Sequence, residues 1–246
     1  MNSLSQILHT VSYMGLPLLF AMVLHEYAHG WMAEKCGDST AKLEGRLTIN
    51  PLAHIDPFGT VILPLICLML PGSFLFGWAK PVPIDPRNMH QPRRDMALVS
   101  AAGPGMNVLL AIASALFLAG LFTFEPTLTL RTPPEADGSS GVFAAVLLRP
   151  LAVMALYSVM INVLLALFNL LPIPPLDGGR ILTALLPSKP AMALARLEPY
   201  GMLILMGLIV FDKELGVIHT ITGTLAKGLS GTILSTALGL RPGVAE

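Results

Sequence analysis

"FAMVLHEYAHGWMA", residues Phe20–Ala33, sets two histidines and a glutamate at the end of an uncharged run. No Asp, Glu, Lys or Arg occurs from Met1 to His25, and the first formal charge is Glu26. Hydrocarbon cannot solvate an ionisable side chain, so such residues at membrane depth mark function. His25 and His29 are i and i+4, which puts both imidazoles on one face of a helix, able to address one ion. Glu26 falls on the adjoining face, close enough to take a proton from water beside that ion. HExxH is therefore a mechanistic spacing, with the glutamate as general base. The pattern is short, and an interfacial histidine pair sharing a hydrogen bond satisfies it equally well.

The membrane setting follows from composition. Of the 246 residues, 54% are hydrophobic and 12% charged, with a mean hydropathy of +0.70, whereas soluble domains carry roughly 25% charged residues. The chain reads as an integral membrane protein. Its formal net charge is zero, which gives no basic field for nucleic acid and no acidic tail for a cationic partner. The two cysteines, Cys36 and Cys67, exclude a disulfide framework and a cysteine-built zinc site. No Lys or Arg precedes the first apolar stretch, so a cleaved signal peptide is not expected.

Runs free of formal charge extend over residues 1–25, 57–79, 96–124, 150–176 and 199–211. All but the last reach the roughly 20 residues a spanning helix needs. Pro64, Pro71, Gly72 and Gly77 punctuate the second, which reads as a re-entrant or broken hairpin shielded by protein. The tail over residues 214–240 is weakly amphipathic, an interfacial segment or marginal span. "KLEGRLTIN", Lys42–Asn50, alternates enough for a short strand, pairing with "KPVPID", Lys80–Asp85, and its edge could hold an extended substrate. The expected fold is thus an all-α polytopic membrane protein of four to six transmembrane segments, with a re-entrant segment and a small β element at the cytoplasmic interface. We read residues 1–246 as one domain, with a catalytic core over about 7–187 and a C-terminal span and tail over about 197–241.

A second polar cluster lies far downstream in "FNLLPIPPLDGGRIL", Phe168–Leu182. Pro172, Pro174 and Pro175 end the fourth apolar run and force extended chain. That presents Asp177 on an unwound segment, where it could be the third ligand a catalytic zinc requires. By itself it reads more simply as an ordinary helix N-cap. Together, HExxH and Asn169–Gly179 (N-x-x-P-x-P-x-L-D-G-G) resemble the site-2 protease family of intramembrane zinc metalloproteases. "SAAGPGMN", Ser100–Asn107, is similar to that family's A-G-P-x-x-N element. The likeness extends to about Pro187.

The resemblance implies one Zn²⁺ per chain held by His25, His29 and Asp177, with Glu26 as catalytic base. It implies a hydrolase that cuts peptide bonds in or near transmembrane segments of membrane protein substrates, in regulated intramembrane proteolysis or clearance of membrane peptides. Asn107 could aim a carboxamide donor at the oxyanion of the reaction, or bridge two helices. "NPLAHIDPFG" and "FGWAKPVPID" look like segments of the branch that lacks appended domains, and His54 in the first could approach the metal. His9, His90 and His219 have no partner spacing and read as structural. Membrane lipid and a transmembrane substrate are the expected partners, nucleic acid is not, and the setting is a bacterial inner membrane. The competing class is a transporter or channel using His25, His29 and Asp177 as a metal or proton path. Such proteins often contain internal repeats, and none is evident here.

Charge decides orientation. Residues 34–56, 80–95 and 178–198 hold Lys35, Lys42, Arg46, Lys80, Arg87, Arg93, Arg94, Arg180, Lys189 and Arg196, while residues 123–149 hold only Arg131 and Arg149. The positive-inside rule places the first group, and the active site with it, on the cytoplasmic side. In a background lacking Cys36 and Cys67, a cysteine at Ser139 is therefore expected to react with an impermeant thiol reagent applied outside, and one at Ser188 is not. The reverse labelling pattern would invert the topology.

Overall fold

The computed structural model describes residues 3–62, 77–126, 128, 147–210, 216 and 220–239. Among them are eight α-helices: α1 Ser3–Lys35, α2 Thr40–Leu43, α3 Pro92–Phe124, α4 Arg149–Asn169, α5 Asp177–Leu185, α6 Ser188–Ala195, α7 Gly201–Val210 and α8 Lys227–Ala237. Among the described residues, three stretches are long and apolar enough to cross a membrane: Pro92–Phe124, Arg149–Asn169 and Ser188–Leu208. The last begins earlier than the charge-free run at residue 199, because α6 and a 3-10 turn at Glu198–Tyr200 lead into α7. The regular elements among the described residues are all helical, as expected. Of the expected re-entrant segment, residues 57–79, positions 63–76 lie outside the described residues, as do residues 127 and 129–146 of the loop expected on the outer side.

The chain forms two compact units. One comprises Met1–Ala21, Asn107–Asn169 and Leu203–Glu246. Its core joins Ala111, Ala115 and Leu118 of α3 to Ala152, Ala155, Val159 and Val163 of α4, with Leu234 of α8. These positions recur every three or four residues, so each helix turns a stripe of small side chains inward while Leu109, Leu116 and Phe117 face outward. Hydrocarbon outside is as apolar as the core, so close backbone approach, not hydrophobic segregation, drives this packing. Polar contacts add specificity: the Ser114 and Ser158 hydroxyls lie 2.8 Å apart, and Asn107 Nδ2 donates to Asn162 Oδ1 at 2.8 Å.

The second unit comprises Met22–Met106 and Leu170–Met202. Ala33, Cys36, Met89 and Val99 form its buried apolar cluster. Helix α3 starts at Pro92, which lacks the N–H that a first-turn residue cannot use, and the Asp95 carboxylate reaches back to accept from Gln91 N–H at 2.7 Å. The loop segments are tied by Asp38, which is fully buried. Its carboxylate accepts from Thr40 N–H at 3.1 Å, the Thr40 hydroxyl, Asp85 N–H at 2.7 Å and Asn88 Nδ2 at 3.2 Å.

The β element is not seen among the described residues. Lys42 and Leu43 close the single helical turn of α2, and no strand pairs Lys42–Asn50 with Lys80–Asp85. Pro81 and Pro83 remove two of the ladder donors that pairing would need. The two segments are stapled by a side chain instead: Arg46 donates to Ala53 O, to Lys80 O at 3.0 Å and to Pro81 O at 3.1 Å.

Burial alone would raise the Asp38 carboxyl, but its four hydrogen bonds outweigh that and hold it below the ordinary carboxylate value. A depressed folded value contributes stability that is complete above the unfolded carboxylate value of about 3.9 and is lost as pH falls through the folded one. Asp38→Asn should therefore lower the melting temperature at pH 7, and its deficit against wild type should shrink below about pH 4. Thermal melts across pH check this; a pH-independent deficit would contradict it.

Candidate metal centre

Helix α1 carries His25 and His29 one turn apart, their rings 4.6 Å between centroids and nearly perpendicular at 85°. His29 Nδ1 lies 2.7 Å from the Val99 carbonyl of α3, which can only accept. The proton of a neutral ring therefore sits on Nδ1, and Nε2 turns a lone pair inward. That atom is 3.0 Å from His25 Nε2 and 3.3 Å from Asp177 Oδ2, while His25 Nε2 is 3.2 Å from the same oxygen. All three residues are buried, at 7–8% exposure. Among the described residues, none donates a hydrogen bond to Asp177 Oδ2 within ordinary geometry.

With the His29 lone pair, the Asp177 carboxylate oxygen and a second ring nitrogen packed this closely away from water, a shared proton or a cation among them is needed to balance the charge. Zinc fits. Bonds of about 2.0–2.1 Å at tetrahedral angles put neighbouring donors about 3.3 Å apart, and three protein ligands leave the fourth position of a catalytic site open. His25, His29 and Asp177 form such a group among the described residues.

The loop before α5 shows why Asp177 can point there. Leu176 is extended, with φ −69° and ψ 158°, and makes no side-chain cap bond. Asp177 is thus the first helical residue rather than the cap, and its carboxylate meets imidazoles instead of the helix's own N–H groups. A Cβ at Gly178 would overlap the Leu170 and Leu171 carbonyls, so only glycine lets the helix start this close to the chain that precedes it. Gly103 does the same for α3: a Cβ there would overlap His29 Nε2 and lie 2.7 Å from His25 Cε1.

Glu26 is not one of the three convergent donors; it accepts a 2.8 Å hydrogen bond at Oε2 from Val82 N–H. That contact and the Val99 carbonyl were not anticipated from sequence, whereas Gly103 belongs to an element whose small residues were read as allowing close helix approach. Asn107, expected either at the oxyanion or between helices, donates from Nδ2 to Ala21 O at 3.3 Å and to Asn162 Oδ1 at 2.8 Å. His54 is outside the convergent group. It is 2% exposed, its Nε2 donates to Thr48 O at 2.8 Å, and Lys80 N–H donates to its carbonyl at 2.9 Å. His90 packs against Gly37, while the side chains of His9 and His219 lie outside the described residues.

The Gly103 contact predicts that Gly103→Ala pushes His29 off its place and weakens zinc retention about tenfold or more, the range seen when support of a ligand is lost. Zinc content after graded chelator treatment measures it. Wild-type retention by the variant would contradict the contact.

Residues 13–211 match the family described as peptidase family M50. The chain is 34% identical over 209 residues to the Bacillus subtilis protein named "Putative zinc metalloprotease YwhC", covering 85% of this chain and 84% of that one. It is 31% identical over 192 residues to "Putative zinc metalloprotease Rip2" of Mycolicibacterium smegmatis, and 32% identical to the protein of the same name in Mycobacterium tuberculosis strain H37Rv. Each of those matches covers 78% of this chain and 64% of the relative, so this chain spans just under two thirds of their length. No solved structure matches. With a match that takes in the histidine pair, Glu26 and Asp177 together, the chain belongs to peptidase family M50, the site-2 protease family of membrane metalloproteases.

Proposed function

We propose that this protein is a zinc-dependent endopeptidase of the bacterial inner membrane that hydrolyses peptide bonds in or near transmembrane segments of other proteins. The supporting observation is the buried triangle of His25 Nε2, His29 Nε2 and Asp177 Oδ2, the third atom having no hydrogen bond among the described residues. These three side chains would hold the ion. Zinc, when bound, supplies a Lewis acid that polarises the scissile carbonyl and makes water nucleophilic near neutral pH.

The chain's own residues do the rest. Glu26, the residue after the first ligand, takes the proton of the attacking water and passes it to the departing amine, which needs a carboxylate that is itself not a ligand. Val99 O keeps His29 in the tautomer that can bind metal. An oxyanion role for Asn107 requires its carboxamide to leave Asn162 during turnover. A helical substrate hides its carbonyls in its own hydrogen bonds, so segments weakened by Gly, Pro or Asn are the preferred targets. The excess of Lys and Arg in residues 34–56, 80–95 and 178–198 supports an active site near the cytoplasmic face.

Purified protein should contain about one zinc per chain. Glu26→Gln keeps size and polarity but cannot accept a proton, so it should retain zinc and lose nearly all cleavage of a reconstituted transmembrane substrate. His29→Ala and Asp177→Ala should lose metal and cleavage together. Ligand-dependent metal flux without proteolysis by wild type would favour the transporter reading and defeat this one.

A further inference from the structure

One backbone group near Glu26 is singled out by the sequence around it. In "KPVPID", Lys80–Asp85, both neighbours of Val82 are proline. Proline has no N–H, so Val82 carries the one backbone donor between Lys80 and Ile84. Pro83 also confines Val82 to extended conformations. The segment is a stiff strut with a single donor, and that donor binds Glu26 Oε2 at 2.8 Å.

Both ends of the strut are pinned. At the front, Arg46 Nη2 donates to Lys80 O at 3.0 Å and to Pro81 O at 3.1 Å, and Lys80 N–H donates to His54 O at 2.9 Å. At the back, Asp85 N–H donates to buried Asp38 at 2.7 Å. In the middle the Val82 side chain is buried at 6% exposure and sits over α1, where a Cβ at Gly30 would lie 3.0 Å from its Cγ1. A larger residue at Gly30 would lift the strut off the helix.

We propose that the Val82 N–H is the positioning donor for the general base: it fixes one carboxylate oxygen of Glu26 so that the other is presented for proton transfer. An unanchored glutamate samples several rotamers, and holding one of them removes that entropy from the catalytic step. Asp38 and Arg46 act through the strut, and so through Val82, on Glu26. The assignment deepens the reading of Glu26 as base and rests on it.

The test is amide hydrogen exchange resolved to Val82, on the full-length protein in lipid nanodiscs with and without chelator, alongside steady-state cleavage of a transmembrane substrate. Glu26→Ala should speed Val82 exchange about tenfold, and Glu26→Gln, whose carbonyl still accepts, should not. Val82→Pro removes the donor and should lower kcat about 30-fold, with KM and zinc content held. Val82→Ala keeps the donor and should recover most of that loss. A Val82 amide indifferent to Glu26→Ala, or Val82→Pro with wild-type kcat, would overturn the positioning role. Full proteolysis by Glu26→Gln would instead remove the base assignment beneath it. If Val82→Pro does not fold, the exchange comparison decides alone.

Discussion

Two imidazole nitrogens and a carboxylate oxygen meet within 3.3 Å in a buried place. Much of the second unit is arranged to force that meeting. Val99 O fixes the tautomer of one ring, Gly103 lets α3 pass against both rings, and Gly178 lets α5 begin beside the chain that leads into it. None of these contacts gains much as a neutral hydrophobic core would. A cation joining the three donors would add to them, and metal binding and local folding would then be coupled.

The segments that follow α1 serve the other half of the chemistry. Asp38 and Arg46 through their side chains, and His54 through its backbone carbonyl, bind backbone groups of the segment from Lys80 to Asp85. Side chains here do what a β-sheet ladder does elsewhere, because the prolines of that segment have no donors to offer one. The first unit has a different economy, small residues and paired polar groups between helices whose outer faces are apolar. Its Asn107–Asn162 pair ties α3 to α4 at a position where sequence left a catalytic role open.

What could be read from the sequence was chemistry at fixed spacing. His25 and His29 are one turn apart on any helix, but Asp177 after its three prolines read alone as an N-cap; the resemblance to the site-2 protease family is what joined it to the histidines. The all-helical fold followed from the charge-free runs. Long-range backbone contacts were not legible: nothing about Val99 or Val82 as side chains marks their carbonyl and N–H as partners of His29 and Glu26. The proline pair around Val82 was a usable signal, since it isolates one donor. The strand expected at Lys42–Asn50 failed because alternation was weighed without asking whether Lys80–Asp85 could return its hydrogen bonds.

Zinc K-edge X-ray absorption on the purified protein addresses the centre most directly. The arrangement of His25, His29 and Asp177 predicts a four-coordinate site with nitrogen and oxygen neighbours at about 2.0–2.1 Å, outer-shell scattering from two imidazoles, and no sulfur shell near 2.3 Å. A sulfur shell, or a six-coordinate site without imidazole scattering, would contradict the account.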